Sequence, residues 1–253
     1  VQGDVANLLL LQKGHDRFTT SVLIHGMGGT GKTVTAVAVL QRRDVRAHFC
    51  EIYWVTVGAD AIDAQLRQLQ GALHKQLSGK ATSTEDALAK SAQDWKAMLV
   101  AAVTEKQRAL VVLDDPWMAE QVRLLNPIDG SQTDHRLLIT TRIRDLVPKA
   151  TRVELPLMGG DEAVALLLDL ANVKEADYLK AHPQSPWPPQ AAHDIAAECG
   201  MLPITLTIAA QAVRYRPRCA FRLCADDCVW ILFVTGRGAA GGVGDLDLPS
   251  MIA

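Results

Sequence analysis

Aromatic side chains are scarce in this chain. Four Phe, three Tyr and five Trp make up 5% of 253 residues, so the interior must be filled by Leu, Val, Ile and Ala. Apolar types together reach 49%, ample for one large domain or two modest ones. An excess of charge is lacking too: Lys+Arg 26 against Asp+Glu 28 leaves a net charge of −2. That balance removes the electrostatic case for a nucleic-acid partner. The five cysteines (Cys50, Cys199, Cys219, Cys224, Cys228) are odd in number and unevenly spaced, which excludes a regular disulfide framework. Cys219, Cys224 and Cys228 fit none of the usual zinc spacings, and no histidine follows them. A long apolar run is missing: Val229 to Val234 is too short to span a bilayer, and no basic-then-apolar leader opens the chain. The expectation is a cytoplasmic, reducing setting with no membrane partner. Val1 in place of Met suggests a piece of something longer.

What the chain does have is Gly26-Met27-Gly28-Gly29-Thr30-Gly31-Lys32-Thr33, which fits the G-x-x-x-x-G-K-[ST] pattern. Ser21 to His25 before it predicts a short buried strand. Thr33 to Gln41 after it predicts a helix, with Val34, Val37, Ala38 and Leu40 as its apolar residues. Strand, glycine-rich turn and helix is the setting a phosphate-binding loop requires. Gly26, Gly28, Gly29 and Gly31 permit positive φ, so successive N–H groups of Gly26 to Thr33, Met27 and Thr30 included, can face phosphate oxygens. The helix N-terminus adds unsatisfied N–H groups and a positive dipole end. Lys32 suits the β- and γ-phosphates and the Thr33 hydroxyl suits Mg²⁺. The run of contacts stops there, and position 34 is assigned none.

Elsewhere the pattern alternates. A helix is predicted over Val5 to Leu11 and a strand over Glu51 to Val57, closing at Gly58. Leu66, Leu69, Leu73 and Leu77 recur at helical spacing, Ser78 to Glu85 reads as a loop, and Asp86 to Thr104 is helical again. Ala109 to Leu113 and Arg136 to Thr140 are continuous apolar runs, the pattern of strands covered on both faces of a parallel sheet. Arg152 to Leu155 is a last short strand. Beyond Pro156 the pattern is helices alone: one capped by Asp161, one from Pro189 to Gly200, one from Ile204 to Val213. The four prolines of His182 to Pro189 mark a loop, and the glycine-rich 216–253 stretch reads as a divergent, poorly ordered tail. This is an α/β fold over residues 1–156 followed by a small helical domain over 157–215.

The strand ending in Asp114-Asp115 suggests Asp114 for Mg²⁺ and Asp115 for orienting or deprotonating a water. Arg142 follows the next apolar strand, where strand C-termini line a ligand crevice, and places a cation near the γ-phosphate. Trp54 and Trp117 are expected in the core, and His25 and His193 carry no motif.

Four blocks in order, 26–33, Leu-Val-Val-Leu-Asp-Asp-Pro-Trp at 110–117, Arg-Leu-Leu-Ile-Thr-Thr-Arg at 136–142 and Cys-Gly-Met-Leu-Pro-Ile at 199–204, resemble the NB-ARC domain. That domain belongs to the STAND class of P-loop NTPases and occurs in plant disease-resistance receptors and animal apoptosome ATPases. The resemblance covers roughly residues 20 to 213. It implies a P-loop parallel sheet with flanking helices, an ARC1-like helical domain, and ADP or ATP with Mg²⁺ as ligands. It also implies the Arg142 strand between the phosphate-loop strand and the Asp114 strand, Arg142 as γ-phosphate sensor, and Pro203 or its neighbour against adenine. Self-association in the ATP state and defence signalling follow from the same resemblance. Departures are Pro116 where the family has an apolar residue, and Val1-Gln2-Gly3-Asp4, which lacks the arginine of the family's adenine contact. Residues 217–253 do not resemble the family's winged-helix portion with its Met-His-Asp motif, and no effector or sensor domain is present. Three functions remain open: a nucleotide-controlled switch with slow hydrolysis, a conventional ATPase or kinase, and an ADP-binding module without hydrolysis.

Overall fold

The computed structural model describes residues 1–11, 15, 16, 18–80, 89–128 and 134–215. The tail at 216–253, with Cys219, Cys224 and Cys228, and most of the loop expected over Ser78 to Glu85 lie outside the described residues. The chain divides into two compact units, Val1–Leu157 and the part from Met158 onward.

The first unit is a five-stranded parallel sheet. Its strands are β1 (Ser21–His25), β2 (Glu51–Gly58), β3 (Ala109–Pro116), β4 (Arg136–Thr141) and β5 (Thr151–Glu154), in the spatial order β2-β3-β4-β1-β5. The Arg142 strand thus lies between the phosphate-loop strand and the Asp114 strand. β3 and β4 are buried at almost every position, whereas edge strand β2 alternates. This is why the first two read as unbroken apolar runs and β2 does not.

Side chains of adjacent positions point to opposite faces, so each strand feeds two cores. Leu23, Val111, Leu113, Leu137 and Ile139 pack under α4 (Asp63–Ser78), α5 (Ala92–Thr104) and α6 (Ala119–Leu125). Val22, Ile24, Leu110, Val112 and Leu138 pack under α1 (Gln2–Leu10), α2 (Lys32–Gln41) and α3 (Arg43–His48). The inward side of α2 is not simply the set of its apolar residues. Thr35, Ala36 and Val39 are buried, whereas Val34 and Val37 are exposed. The i, i+3, i+4 spacing puts 32, 35, 36 and 39 on one side, and 34 and 37 fall outside it. α4 buries Leu66, Leu73 and Leu77 with Gln70, while Leu69 is only partly buried. It stops where Gly79 turns left-handed, φ +71°, and donates to the Lys75 carbonyl. α5 starts at Ala92, where Ser91 caps it: the Ser91 hydroxyl accepts from the Asp94 N–H and the Asp94 carboxylate accepts from the Ser91 N–H. The expected helix start at Asp86 lies outside the described residues.

The second unit contains α7 (Gly160–Leu170), α8 (Glu175–Ala181), α9 (Gln190–Glu198) and α10 (Pro203–Tyr215). Ala163, Leu167, Ile195, Leu206 and Ala210 form its centre. Asp161 is not the cap of α7. Gly159 occupies that position and its N–H donates to the Glu162 carboxylate, leaving Asp161 in the first turn, where its charge favours the helix dipole. Among the described residues three helices, α3, α6 and α8, have no counterpart in the sequence reading. Each is seven residues or fewer, and α8 buries no side chain, so none shows an apolar period.

Candidate functional site

The phosphate-loop segment leaves the buried end of β1 and enters α2 one residue earlier than expected, at Lys32. The glycines serve different purposes. Gly29 and Gly31 take φ of +84° and +90°, the left-handed turns that admit glycine readily. Gly26, at φ +158°, is nearly extended. It is required by space, since a Cβ there would lie 2.7 Å from the Leu155 carbonyl oxygen. Gly28 is not left-handed; its missing side chain admits Arg142, whose Nη1 would lie 3.1 Å from a Cβ at this position. Thr30 is buried, and its hydroxyl closes the loop on the Met27 carbonyl at 2.9 Å.

Lys32 is 8% exposed, and its Nζ donates to the carbonyls of Gly26, at 2.9 Å, and Met27, at 2.8 Å. Burial pushes the ammonium pKa below the usual lysine value and the nearby Arg142 charge pushes the same way, while Asp115 and Asp114 oppose both. A buried cation beside a second cation favours an anion at this loop. The set of polar side chains ends at Thr33. Position 34 is a valine, not a second threonine, so it offers no hydroxyl to a metal or phosphate. Val34 is 71% exposed on α2 and has no part in the site.

The acidic end of β3 faces this loop. Asp114 is buried, and its Oδ1 accepts from two hydroxyls, Thr33 Oγ1 at 2.8 Å and Thr140 Oγ1 at 2.5 Å. Thr33 and Asp114, 81 residues apart in sequence, therefore present two hard oxygen donors side by side. They fit a Mg²⁺ ion, which takes one or two protein oxygens and completes its shell with water and phosphate. Among the described residues no group of three or more His, Cys, Asp and Glu side chains could hold a metal by itself.

Asp115 is the next residue but is set apart by backbone geometry. Its φ is +53°, a conformation that costs a non-glycine residue about 1–2 kcal/mol. Its N–H donates to Thr140 Oγ1 at 3.1 Å. The carboxylate turns toward Arg142, with Oδ1 3.8 Å from Nε, and Oδ2 accepts from the Trp117 indole at 3.2 Å. The guanidinium lies 5.0 Å from the centroid of the Trp117 ring. Trp117 is thus not a core residue; it is 37% exposed and holds a place beside Arg142. Trp54 is half-buried at the margin of one core, and His25 is buried.

Lys32, Thr33, Asp114, Asp115 and Arg142 therefore come together with the 26–31 loop at one end of the sheet. Pro203 is the first residue of α10 in the second unit. Three further residues belong to this arrangement. Thr140 joins the two aspartates, Trp117 faces Arg142, and the fully buried Gln121 fixes the chain after β3. Gln121 Oε1 accepts from the N–H groups of Trp117, at 2.8 Å, and Met118, at 3.0 Å, and its amide donates to the Gly58 and Ala61 carbonyls. A polar residue in a short helix carries no spacing signal, whereas Thr140 stood within a quoted block.

The family model for the NB-ARC domain matches residues 3–177. The chain belongs to the NB-ARC family. Among curated relatives, the regulatory protein AfsR of Streptomyces coelicolor is 31% identical over 193 residues, 76% of this chain and 18% of that protein. The disease resistance protein ADR1 of Arabidopsis thaliana is 27% identical over 210 residues, 79% of this chain and 21% of that protein. This NB-ARC chain thus spans about a fifth of the length of these relatives. Solved structures share the fold: a Walker-type ATPase of Pyrococcus abyssi has a TM-score of 0.56 at 11% identity, covering 93% of this chain and 72% of that one. The ORC2 protein of Aeropyrum pernix, solved in ADPNP–ADP complexes, also has a TM-score of 0.56, at 16% identity over 95% of this chain and 68% of that one. The NB-ARC match ends at residue 177, so Pro203 lies beyond it.

Proposed function

We propose that this NB-ARC chain binds ADP and ATP with Mg²⁺ and acts as a nucleotide-dependent signalling switch, off with ADP and on with ATP, reset by slow hydrolysis. The observation that carries this reading is the convergence of two cations on one glycine-rich loop: Lys32 bonded to its carbonyls and Arg142 against Gly28. Phosphate oxygens at the loop would relieve both charges and draw Nζ from the carbonyls. Lys32 holds the β- and γ-phosphates, Thr33 and Asp114 hold the metal, Asp115 serves the water and Arg142 senses the γ-phosphate. The N–H groups of Gly26, Met27, Gly28, Gly29, Thr30 and Gly31 line the phosphate path. Residues 157–215 act as an ARC1-like domain.

A ligand shifts such a switch only by its differential affinity for the two states, so groups that meet the γ-phosphate decide the response. The relatives named for regulation and disease resistance support a signalling role. The proposal further includes a cytoplasmic setting, self-association in the ATP state, and sensor or effector parts outside these residues.

Calorimetry with ADP tests the nucleotide reading. Lys32→Ala should lose at least about tenfold in ADP affinity, the loss of charge-assisted bonds to phosphate. Equal affinity in wild type and variant would remove the loop from the mechanism. Steady-state turnover then decides among the modes. A rate near zero with retained binding favours a holding module, and rapid turnover favours a conventional ATPase.

A further inference from the structure

We propose that Trp117 is a positioning residue: its indole face presets the Arg142 guanidinium for a terminal phosphate and thereby sets the preference for ATP over ADP. This rests on the reading of the Gly26–Thr33 loop as a nucleotide site.

Arg142 follows the end of β4 and is about half exposed, so its long side chain has many rotamers to lose when it meets a ligand. Its distance to Asp115, 3.8 Å from Nε to Oδ1, is too long for a hydrogen bond and does not fix the guanidinium plane. Two surfaces beside it do. Trp117 lies 5.0 Å from the guanidinium carbon, and the bare backbone of Gly28 leaves room for Nη1 against the loop. Arginine is the cation that stacks best on an indole.

Trp117 is itself anchored at both ends. Its Nε1 donates to Asp115 Oδ2 at 3.2 Å, and its N–H donates to the buried Gln121 side chain at 2.8 Å. It belongs to neither hydrophobic core of the sheet. A large aromatic held in place yet left outside both cores has a different purpose from packing. Holding Arg142 against Gly28 before ligand arrives lowers the ordering cost of meeting a γ-phosphate, which ADP does not carry.

The test uses the full 253-residue chain. Affinities for ADP and for a non-hydrolysable ATP analogue, both with Mg²⁺, are measured for the wild type, Trp117→Leu, Trp117→Phe, Arg142→Ala and Trp117→Leu/Arg142→Ala. Trp117→Leu should lower the ratio of analogue affinity to ADP affinity about two- to thirtyfold, the range of a cation–π contact. Trp117→Phe keeps an aromatic face and should restore most of that ratio. In the Arg142→Ala background Trp117→Leu should change nothing further, because the group it positions is gone. An unchanged ratio in Trp117→Leu, an equal fall in the Arg142→Ala background, or a Phe variant as poor as Leu would each overturn the inference while the nucleotide site stands. A wild-type chain that binds no ADP would overturn the site reading, and this inference with it.

Discussion

Asp114 and Asp115 are neighbours in sequence but occupy different environments. Asp114 continues β3, is buried, and accepts from the Thr33 and Thr140 hydroxyls. Asp115 turns out at φ +53° toward Arg142 and Trp117. The two substitutions should therefore separate. Asp114→Ala should remove the Mg²⁺ dependence of ATP binding, measured by titration with and without the metal. Asp115→Ala should keep Mg²⁺-dependent binding and lower single-turnover hydrolysis by about a hundredfold or more, the usual size of a lost general base. The same defect from both changes would contradict the division. The pairing of Asp-Asp was legible in the sequence; the left-handed turn that separates their environments was not, because it depends on Thr140 from the adjacent strand accepting the Asp115 N–H.

At the scale of the element, the loop between β1 and α2 is held from the side by the chain that follows β5. The Leu155 N–H donates to the His25 carbonyl at 2.8 Å, and the Leu155 carbonyl oxygen lies 2.7 Å from where a Cβ of residue 26 would be. Gly26→Ala should thus force the end of the edge strand away and destabilise the fold by about 1–3 kcal/mol, the range for overpacking a closed site. Urea denaturation measures this directly, and a change below about 0.5 kcal/mol would mean that the loop yields more easily than the backbone contact suggests. The motif named Gly26 without giving this reason. The conformational freedom expected of all four glycines applies at Gly29 and Gly31, while Gly26 and Gly28 are small because Leu155 and Arg142 come close. Those neighbours lie more than a hundred residues away in the chain.

Across the whole molecule, three histidines are buried. Burial is the main cause of the lowered pKa of His25, His74 and His135. At His135 the ring Nδ1 also accepts from the Ala109 N–H at 3.0 Å, a bond that protonation would break. In the unfolded chain these rings titrate near pH 6.5, so below that value the unfolded state binds protons that the folded state refuses. Stability should hold above about pH 7 and fall as the pH drops below about 6.5 toward the lowered folded values. Urea midpoints between pH 7.5 and 5.5 should show the decline, and His135→Gln should flatten part of it. A midpoint that rises over this interval would reverse the sign and refute the burial argument. The histidines were visible as residues, but their burial follows from sheet and helix packing.

The sequence by itself determined the strand–loop–helix that starts the nucleotide site, the doubly covered strands β3 and β4, and the residue types that gather at their ends. It could do so because these signals are local: apolar runs mark strands covered on both faces, and the loop needs glycines, a lysine and a threonine in fixed succession. The tertiary structure decided what meets what. It took Trp117 out of the expected core and placed it beside Arg142, put Thr140 between the two aspartates, and used Gln121 to fix the turn after β3. It also chose which side of α2 meets the sheet, leaving Val34 and Val37 outside. Short helices such as α3, α6 and α8 took form only there. In each case the deciding contact joins segments distant in the chain or a stretch too short to show a period, and neither leaves a pattern that spacing can reveal.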